Sequence, residues 1–392
     1  MRVMLLLAVL FGMTLNAQAQ APTAKPAPAF IIPDSVTHTP EQLSDYLAGH
    51  TSSARDFVKQ LFTWITVHVS YDVAAMYQPG LYKDTADAAN KTLATRQGVC
   101  QGYASLYYMV CRRAGIPVYL VAGYTQINGK LADAAHAWVA VNIDNTWYMT
   151  DPTWGAGALV NGQFVRRANG SFFLVQPGNF VKTHMPFDPL FQLLEHPFRQ
   201  EEFRDNNWAL AASRPVFHYQ DSLAIYNKED QLSRYQHTAD RIIRNGITNT
   251  FTGTQLQYLQ NAVAAMQQNK TIDARNGVVH RYNSSGDHYN MAVNQFNEYV
   301  NYRNNQFRPS RPDAEIRGMI DSIASSLQLS KQELSGLEGP DAELGKNIQA
   351  LRDSQTGLEK RVEEEQAFVT KYLKTGKLFR KTLFYKIRGF GG

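Results

Sequence analysis

The chain has 392 residues, 44% hydrophobic and 19% charged, a composition that builds a substantial core and excludes global disorder and fibrous repeats. At roughly 150 residues per domain it is too long for a single compact domain. Thirty-nine basic against 34 acidic residues leave only +5, too mild to point to nucleic acid, and two cysteines, Cys100 and Cys111, exclude a disulfide scaffold and a Cys/His structural zinc site.

Residues 1–19 read as a signal peptide: Arg2, an apolar run over 3–15 interrupted by Gly12 and Thr14, then the small-x-small pattern Ala17-Gln18-Ala19. The expectation is export to the periplasm or the exterior. Residues 20–35 are a Pro/Ala-rich linker. After Thr39-Pro40, apolar residues step by three and four through Leu43, Tyr46 and Leu47 and again through Phe57, Leu61, Phe62 and Ile65, which predicts helices. Gly98 and Gly115 bracket a helix from Cys100 to about Arg113. The period then changes: 116–125 and 137–143 are β-branched and aromatic, with Asn128-Gly129 as a hairpin signal between them and Asp144-Asn145 as a second turn.

Beyond about residue 215 five amphipathic stretches follow, at 232–242, 256–266, 289–300, 316–327 and 344–362, with few strand signals. Gly339-Pro340 between the last two suggests a long antiparallel helix hairpin. The expected division is 36–200 for an α+β domain, 201–312 for a helical region and 313–392 for the hairpin and tail. Residues 371–392 hold seven basic and no acidic residues, interleaved with Leu373, Leu378, Phe379, Leu383, Phe384 and Ile387. Such a tail suits an anionic membrane or envelope polymer, or the solvated face of a helix that ends the bundle.

Chemistry concentrates around the cysteine helix. Cys100 opens it, where unpaired amides and the helix dipole favour a thiolate. Cys111 lies eleven residues on, about 16 Å along the axis, so the intact helix keeps the two from pairing; amid apolar neighbours it reads as core. His136 starts one strand and Thr150 to Trp154 continue the next. A two-residue turn at 144–145 places Ile143 opposite Thr146 and Asp151 diagonal to His136 on the same face, within reach of its imidazole. Cys100 would attack an acyl carbon, His136 move the proton, and Asp151 orient the imidazole. Trp138, Trp147 and Trp154 gather around these residues; Trp138 and Trp154 are candidates for a substrate cleft, with core packing the default. The other histidines show no metal-ligand spacing, so no metal and no cofactor is expected.

At these residues the chain resembles the transglutaminase-like superfamily. The motifs are Gly98-Val99-Cys100-Gln101-Gly102-Tyr103-Ala104, His136-Ala137-Trp138-Val139 and Asp151-Pro152-Thr153-Trp154. Val69-Ser70-Tyr71-Asp72 resembles the strand that precedes the cysteine helix. Phe173-Leu174 and the stretch from His184 to Leu194 resemble the closing segment of secreted and cytokinesis-related members similar to kyphoscoliosis peptidase. The resemblance covers about 50–200. It implies a papain-like α+β core, a cysteine-bearing helix on an antiparallel sheet, with Cys100, His136 and Asp151 as the triad and no required metal. Tyr71 or Gln97 would support the Cys100 amide as oxyanion donors. A thiol protease, amidase or acyltransferase acting on proteins or peptides is one expectation; a catalytically silent scaffold that binds envelope or protein partners is the other.

Overall fold

The computed structural model describes residues 30–127 and 129–385. The expected leader, most of the linker, Asn128 and the end of the basic tail lie outside the described residues. The chain divides into two compact units, one running to Glu229 and taking in His237–Gln257, the other made of Asp230–Gln236 and everything from Tyr258.

The first unit opens with α1 (Pro40–His50) and α2 (Ala54–His68), where the three-to-four apolar spacing falls. Thr39 and Ser53 cap them by accepting from the Gln42 and Asp56 amides. Two-residue β1 (Ser70–Tyr71), α3 (Thr85–Thr95) and two-residue β2 (Gln97–Gly98) follow, β1 and β2 pairing in parallel. The cysteine helix is α4 (Cys100–Arg113). Then come β3 (Val118–Ile127), β4 (Lys130–Leu131), β5 (His136–Ile143), β6 (Thr146–Thr150), α5 (Pro152–Ala156), the hairpin of β7 (Gly157–Val160) and β8 (Gln163–Arg166), α6 (Pro177–Phe180) and β9 (His184–Pro186).

The main sheet runs β4-β3-β5-β6, with β9 also paired to β3 and every pairing antiparallel. Asp144 and Asn145 both take positive φ, 53° and 62°, the two-residue turn that sets Ile143 opposite Thr146 as the sequence predicts. Gly123 faces His136 on one side and Pro186 on the other, so β5 and β9 flank β3. Ala137, Val139, Val141 and Ile143 pack on the core of α1, α2 and α4; Trp138 and Ala140 pack on the opposite face with Phe180, Leu190, Phe191 and Leu223. Covering on both faces explains why β5 is apolar almost throughout.

Two expectations change here. Ile127 pairs with Lys130 of the short β4, and β5 joins β3 only after a further loop. Residues 151–154 do not extend β6: pairing ends at Val139 and Thr150, Asp151 caps α5, and Pro152, with no amide to give a ladder, takes the first helical position.

The unit also continues past the 200/201 boundary expected from the sequence. In α7 (Gln200–Arg204), buried Gln200 meets the Tyr124 hydroxyl, and Gln126 Nε2 donates to the Phe203 carbonyl at 2.7 Å. Leu223 of α8 (Tyr219–Lys228) enters the core beneath Trp138, and Arg241 of α9 (Gln231–Asn245) donates to buried Asp188 at 2.7 Å.

The stretches at 256–266 and 289–300 belong to one 55-residue helix, α10 (Thr250–Asn304). No proline interrupts 267–288, and glycines such as Gly277 cost only about 1 kcal/mol each in a helix. In the second unit α11 (Asp313–Leu334) and α12 (Ala342–Lys374) form the expected hairpin, with Asp341 capping α12. α10 adds a third helix to it: Phe296 and Tyr299 pack with Ile316, Ile320, Ile323, Leu358 and Val362. A polar layer interrupts this core, Gln355 Nε2 donating to Ser330 Oγ at 2.7 Å and Ser285 Oγ at 3.1 Å. The tail is partly absorbed by the bundle. Arg380 forks onto Asp313 at 2.6 and 2.7 Å, and Leu383 and Phe384 pack on the bundle core.

Candidate active site

Cys100 occupies the first position of α4, and the glycines beside it serve packing. A Cβ on Gly102 would lie 2.1 Å from Thr92 Oγ1 and 2.8 Å from the Tyr82 hydroxyl, and one on Gly98 would lie 2.6 Å from Thr92 Oγ1. Both glycines let α3 close on the start of α4, leaving Cys100 half-buried with Sγ 3.9 Å from the Ala135 carbonyl. Both cysteines are free thiols, and complete burial pushes the thiol of Cys111 far up, which keeps it inert.

His136 stands at the first residue of β5, its side chain 9% exposed, and its Nε2 lies 2.8 Å from Asp151 Oδ2. Cys100 lies close enough to this imidazole to favour its charged form. Asp151 is fully buried. Its Oδ1 accepts from the amides of Thr153 and Trp154 at 2.8 and 3.1 Å, so the helix cap that ends β6 is also what aims Oδ2 at His136. Burial opposes both charges, but their mutual attraction and hydrogen bonds outweigh it. Asp151 is held well below the usual carboxylate range and His136 well above the usual imidazole range. The pair is therefore a carboxylate and an imidazolium, with the cation beside the thiol.

A second histidine shares the carboxylate. His184 of β9, fully buried, places Nε2 3.2 Å from Asp151 Oδ2 and Nδ1 2.7 Å from Thr183 Oγ1. Burial takes it down to about 4, against the charge and hydrogen bond of Asp151 and with the help of His136, so it is neutral at ordinary pH. Nothing in the sequence links residue 184 to 136: a lone histidine in a short apolar run reads as core, and only the flanking of β3 by β5 and β9 brings the two together. The ligand-type atoms of His136, Asp151 and His184 lie within 4.8 Å of one another, the spacing of a possible cation site. Oδ2 already accepts from both imidazoles, so the cluster is complete as a hydrogen-bond network.

Beside Cys100 a cleft of about 220 Å³ is walled by Tyr71, Met76, Tyr82, Gln101 and Ala134, and no lysine, arginine, aspartate or glutamate lines it. Tyr71 is thus where the oxyanion expectation needs it, and burial pushes its hydroxyl up, with the neighbouring Cys100 adding to the effect, so it remains a donor. Gln97 is not on that wall. Its residue is exposed and its backbone amide donates to Thr95 Oγ1 at 3.2 Å; Gln101, the second residue of α4, takes the place by the cysteine. Trp138 does not wall the cleft either: only 1% exposed, it lies under His184 in the second core, with its ring tip over the missing side chain of Gly123. Trp154 is half-buried, 5.9 Å from the His136 ring and 4.5 Å from that of His184.

Residues 41–152 match the model of the transglutaminase-like superfamily. Human kyphoscoliosis peptidase is 33% identical over 176 residues, 42% of this chain and 26% of that protein. Hillarin of Drosophila melanogaster is 26% identical over 182 residues, 41% and 21% of the two chains. A crystal structure of a TGase is 26% identical, covers 35% of each chain and gives a TM-score of 0.25. The chain spans about a quarter of the length of these curated relatives. A transglutaminase-like domain therefore occupies the front of the chain, and the match includes Cys100, His136 and Asp151 but ends before His184.

Proposed function

We propose that the protein is an exported thiol enzyme that acts on amide bonds of proteins or peptides through an acyl-thioester. One observation carries this reading: Cys100, at a helix N-terminus, lies beside an imidazole that a buried carboxylate at 2.8 Å holds cationic. The thiolate attacks the carbonyl carbon, the C–N bond breaks, and His136 gives its proton to the leaving amine. The Cys100 amide and the Tyr71 hydroxyl are the donors for the oxyanion. Water or a second amine then attacks the thioester, giving its proton to His136, and the thiolate leaves. Hydrolysis is the favoured fate, because water needs no second binding site. The uncharged cleft suits a neutral side chain of the substrate.

Labelling of Cys100 by iodoacetamide across pH, in wild type, Cys100→Ala and His136→Ala, tests the mechanism. Cys100 should react faster than a free model thiol below pH 7 and His136→Ala should remove the advantage. An ordinary thiol that His136→Ala leaves unchanged would leave the silent scaffold as the reading. Product mass spectra with and without added amines then separate hydrolysis from transfer.

The same reading gives the bundle end an anionic lipid surface. Leu378 and Phe379 are 92% and 67% exposed among exposed Lys374, Lys377 and Lys381. Leu378→Ser/Phe379→Ser should abolish sedimentation with phosphatidylglycerol vesicles at low salt. Point variants are the right probe, because truncation at 371 would remove Tyr372 and Phe384 from the bundle core. Binding that the variant or high salt leaves intact would overturn the contact.

A further inference from the structure

We infer that His184 is a positioning residue for the thiol site: a second imidazole that pins the Asp151 carboxylate, so that the mobile proton of the site is carried by His136. The inference rests on the thiol chemistry proposed for Cys100 and His136. Asp151 receives two donors on each oxygen, the Thr153 and Trp154 amides on Oδ1 and the two imidazoles on Oδ2. That fills the acceptor capacity of a carboxylate. Removing His184 leaves a fully buried charge one donor short and its Oδ2 free to swing away from His136.

The surroundings decide which imidazole holds the cation. The His184 ring stacks on Phe180 at 4.0 Å between centroids and meets Trp154 at 4.5 Å, Trp138 at 5.3 Å and Phe172 at 6.0 Å. From α5 and β5 the titratable groups that face it are Asp151 and His136, with Cys100 of α4 behind His136; α6 and the 172 loop present only aromatic rings. This box disfavours a cation on His184. With its proton on Nε2, Nδ1 accepts from the Thr183 hydroxyl, which fixes both the tautomer and the tilt of the ring. His184 thus makes the same kind of contact to Asp151 as His136 does, yet stays out of the proton transfer.

The test is the rate of Cys100 carbamidomethylation by iodoacetamide in the full-length protein from pH 4 to 9, read by peptide mass spectrometry, with buried Cys111 as internal blank. His184→Phe fills the box without a donor; His184→Gln keeps one; Thr183→Val removes the lock on Nδ1. At pH 6 His184→Phe should be slower by about tenfold and its acid limb should move up by about one pH unit, the scale of one hydrogen bond to a charged group. His184→Gln should stay within about threefold of wild type, and Thr183→Val should fall between them. A folded His184→Phe with the wild-type profile overturns the positioning role. If His184→Phe does not fold, a wild-type profile in Thr183→Val overturns it instead. Should His136→Ala also match wild type, the thiol reading itself has failed, and with it the group that His184 would position.

Discussion

All five tryptophans and both cysteines lie in the first unit, and from Tyr258 onward the second unit has neither. The first unit assembles its site from five separate stretches, at Tyr71, Cys100, His136, Asp151 and His184. Sheet register, a helix cap and two glycines each fix one part of it. The second unit is built from apolar residues at helical spacing, interrupted by a buried polar layer around Gln355. The difference shows where specificity is concentrated: one geometry is over-determined where a thiol must meet an imidazole, whereas periodicity suffices where helices need only pack. It also separates the units by spectroscopy. Tryptophan fluorescence reports the first alone, and far-UV circular dichroism is dominated by the long helices of the second.

The sharpest way to break the comparison is through activity. Cys100→Ala or His136→Ala should lower amide turnover by at least about 10³-fold, a loss of the size seen when a nucleophile–base pair is removed. Cys100→Ala should not move the fluorescence or dichroism melts by more than a degree or two, since Cys100 is only half-buried; His136→Ala takes the cation from the buried Asp151 carboxylate and should lower the fluorescence melt as well. A comparable loss from substitutions confined to the bundle would show that the second unit takes part in the chemistry.

Acid should divide the units next. His184 is neutral in the fold, down at about 4, and titrates in the unfolded chain near 6.5. A depressed folded value means that its stabilisation is complete above pH 6.5 and is lost as pH falls toward 4, by up to about 3 kcal/mol. Asp151, also depressed, contributes above its unfolded value near 4 and is lost below that. His136 is raised, so its contribution is complete below pH 6.5 and is lost as pH rises toward its folded value. The fluorescence melt should therefore fall steeply between pH 6.5 and 4 while the helical dichroism melt changes little. Parallel shifts in both would show that the acid effect is not that of the buried triad.

Much of this site was legible in the residues. Gly98, Cys100 and Gly115 placed α4, and the turn residues Asp144 and Asn145 fixed the register that brings Asp151 toward His136. What was not legible depends on pairing between distant segments. His184 reaches Asp151 only because β9 lies on the far edge of β3, and Trp138 turned out to be core because Gly123 leaves room for its ring. Gln97 ends up in β2 and Gln101 in α4, and nothing local to either decided which faces the cleft. The single helix α10 was hidden because two amphipathic stretches flank a polar middle that lacks a breaker but also lacks a stripe.

Packing at the cysteine tests the first unit at smaller scale. Gly102→Ala sets a methyl group 2.1 Å from Thr92 Oγ1, and overpacking of this kind costs about 1–3 kcal/mol. It should lower the fluorescence melt by several degrees and leave the bundle unchanged. Thr92 Oγ1 has no hydrogen-bond partner among the described residues, so Thr92→Ala removes the nearer obstacle without orphaning another group and leaves the Tyr82 hydroxyl, at 2.8 Å, as the closest neighbour. The double variant should recover more than half of the loss. No recovery would mean that Gly102 is needed for backbone reasons and not for the approach of α3.

The smallest expected effect lies in the bundle. Ser285 and Ser330 each donate to the other's backbone carbonyl, at 2.8 and 2.7 Å, so the two serines are satisfied as donors without Gln355. Gln355→Leu therefore removes an amide and fills its place with a side chain of similar length, and leaves no donor stranded. The change in stability should stay within about 1 kcal/mol of zero. What the substitution removes is the layer's power to reject a helix shifted by one turn, since only the native register sets Gln355 against both hydroxyls. Hydrogen exchange should show looser protection across α10, α11 and α12 at an almost unchanged dichroism melt, with the tryptophan signal unaffected. A loss of several kcal/mol would instead make Gln355 a main support of the bundle, and periodicity would no longer be enough to account for the second unit.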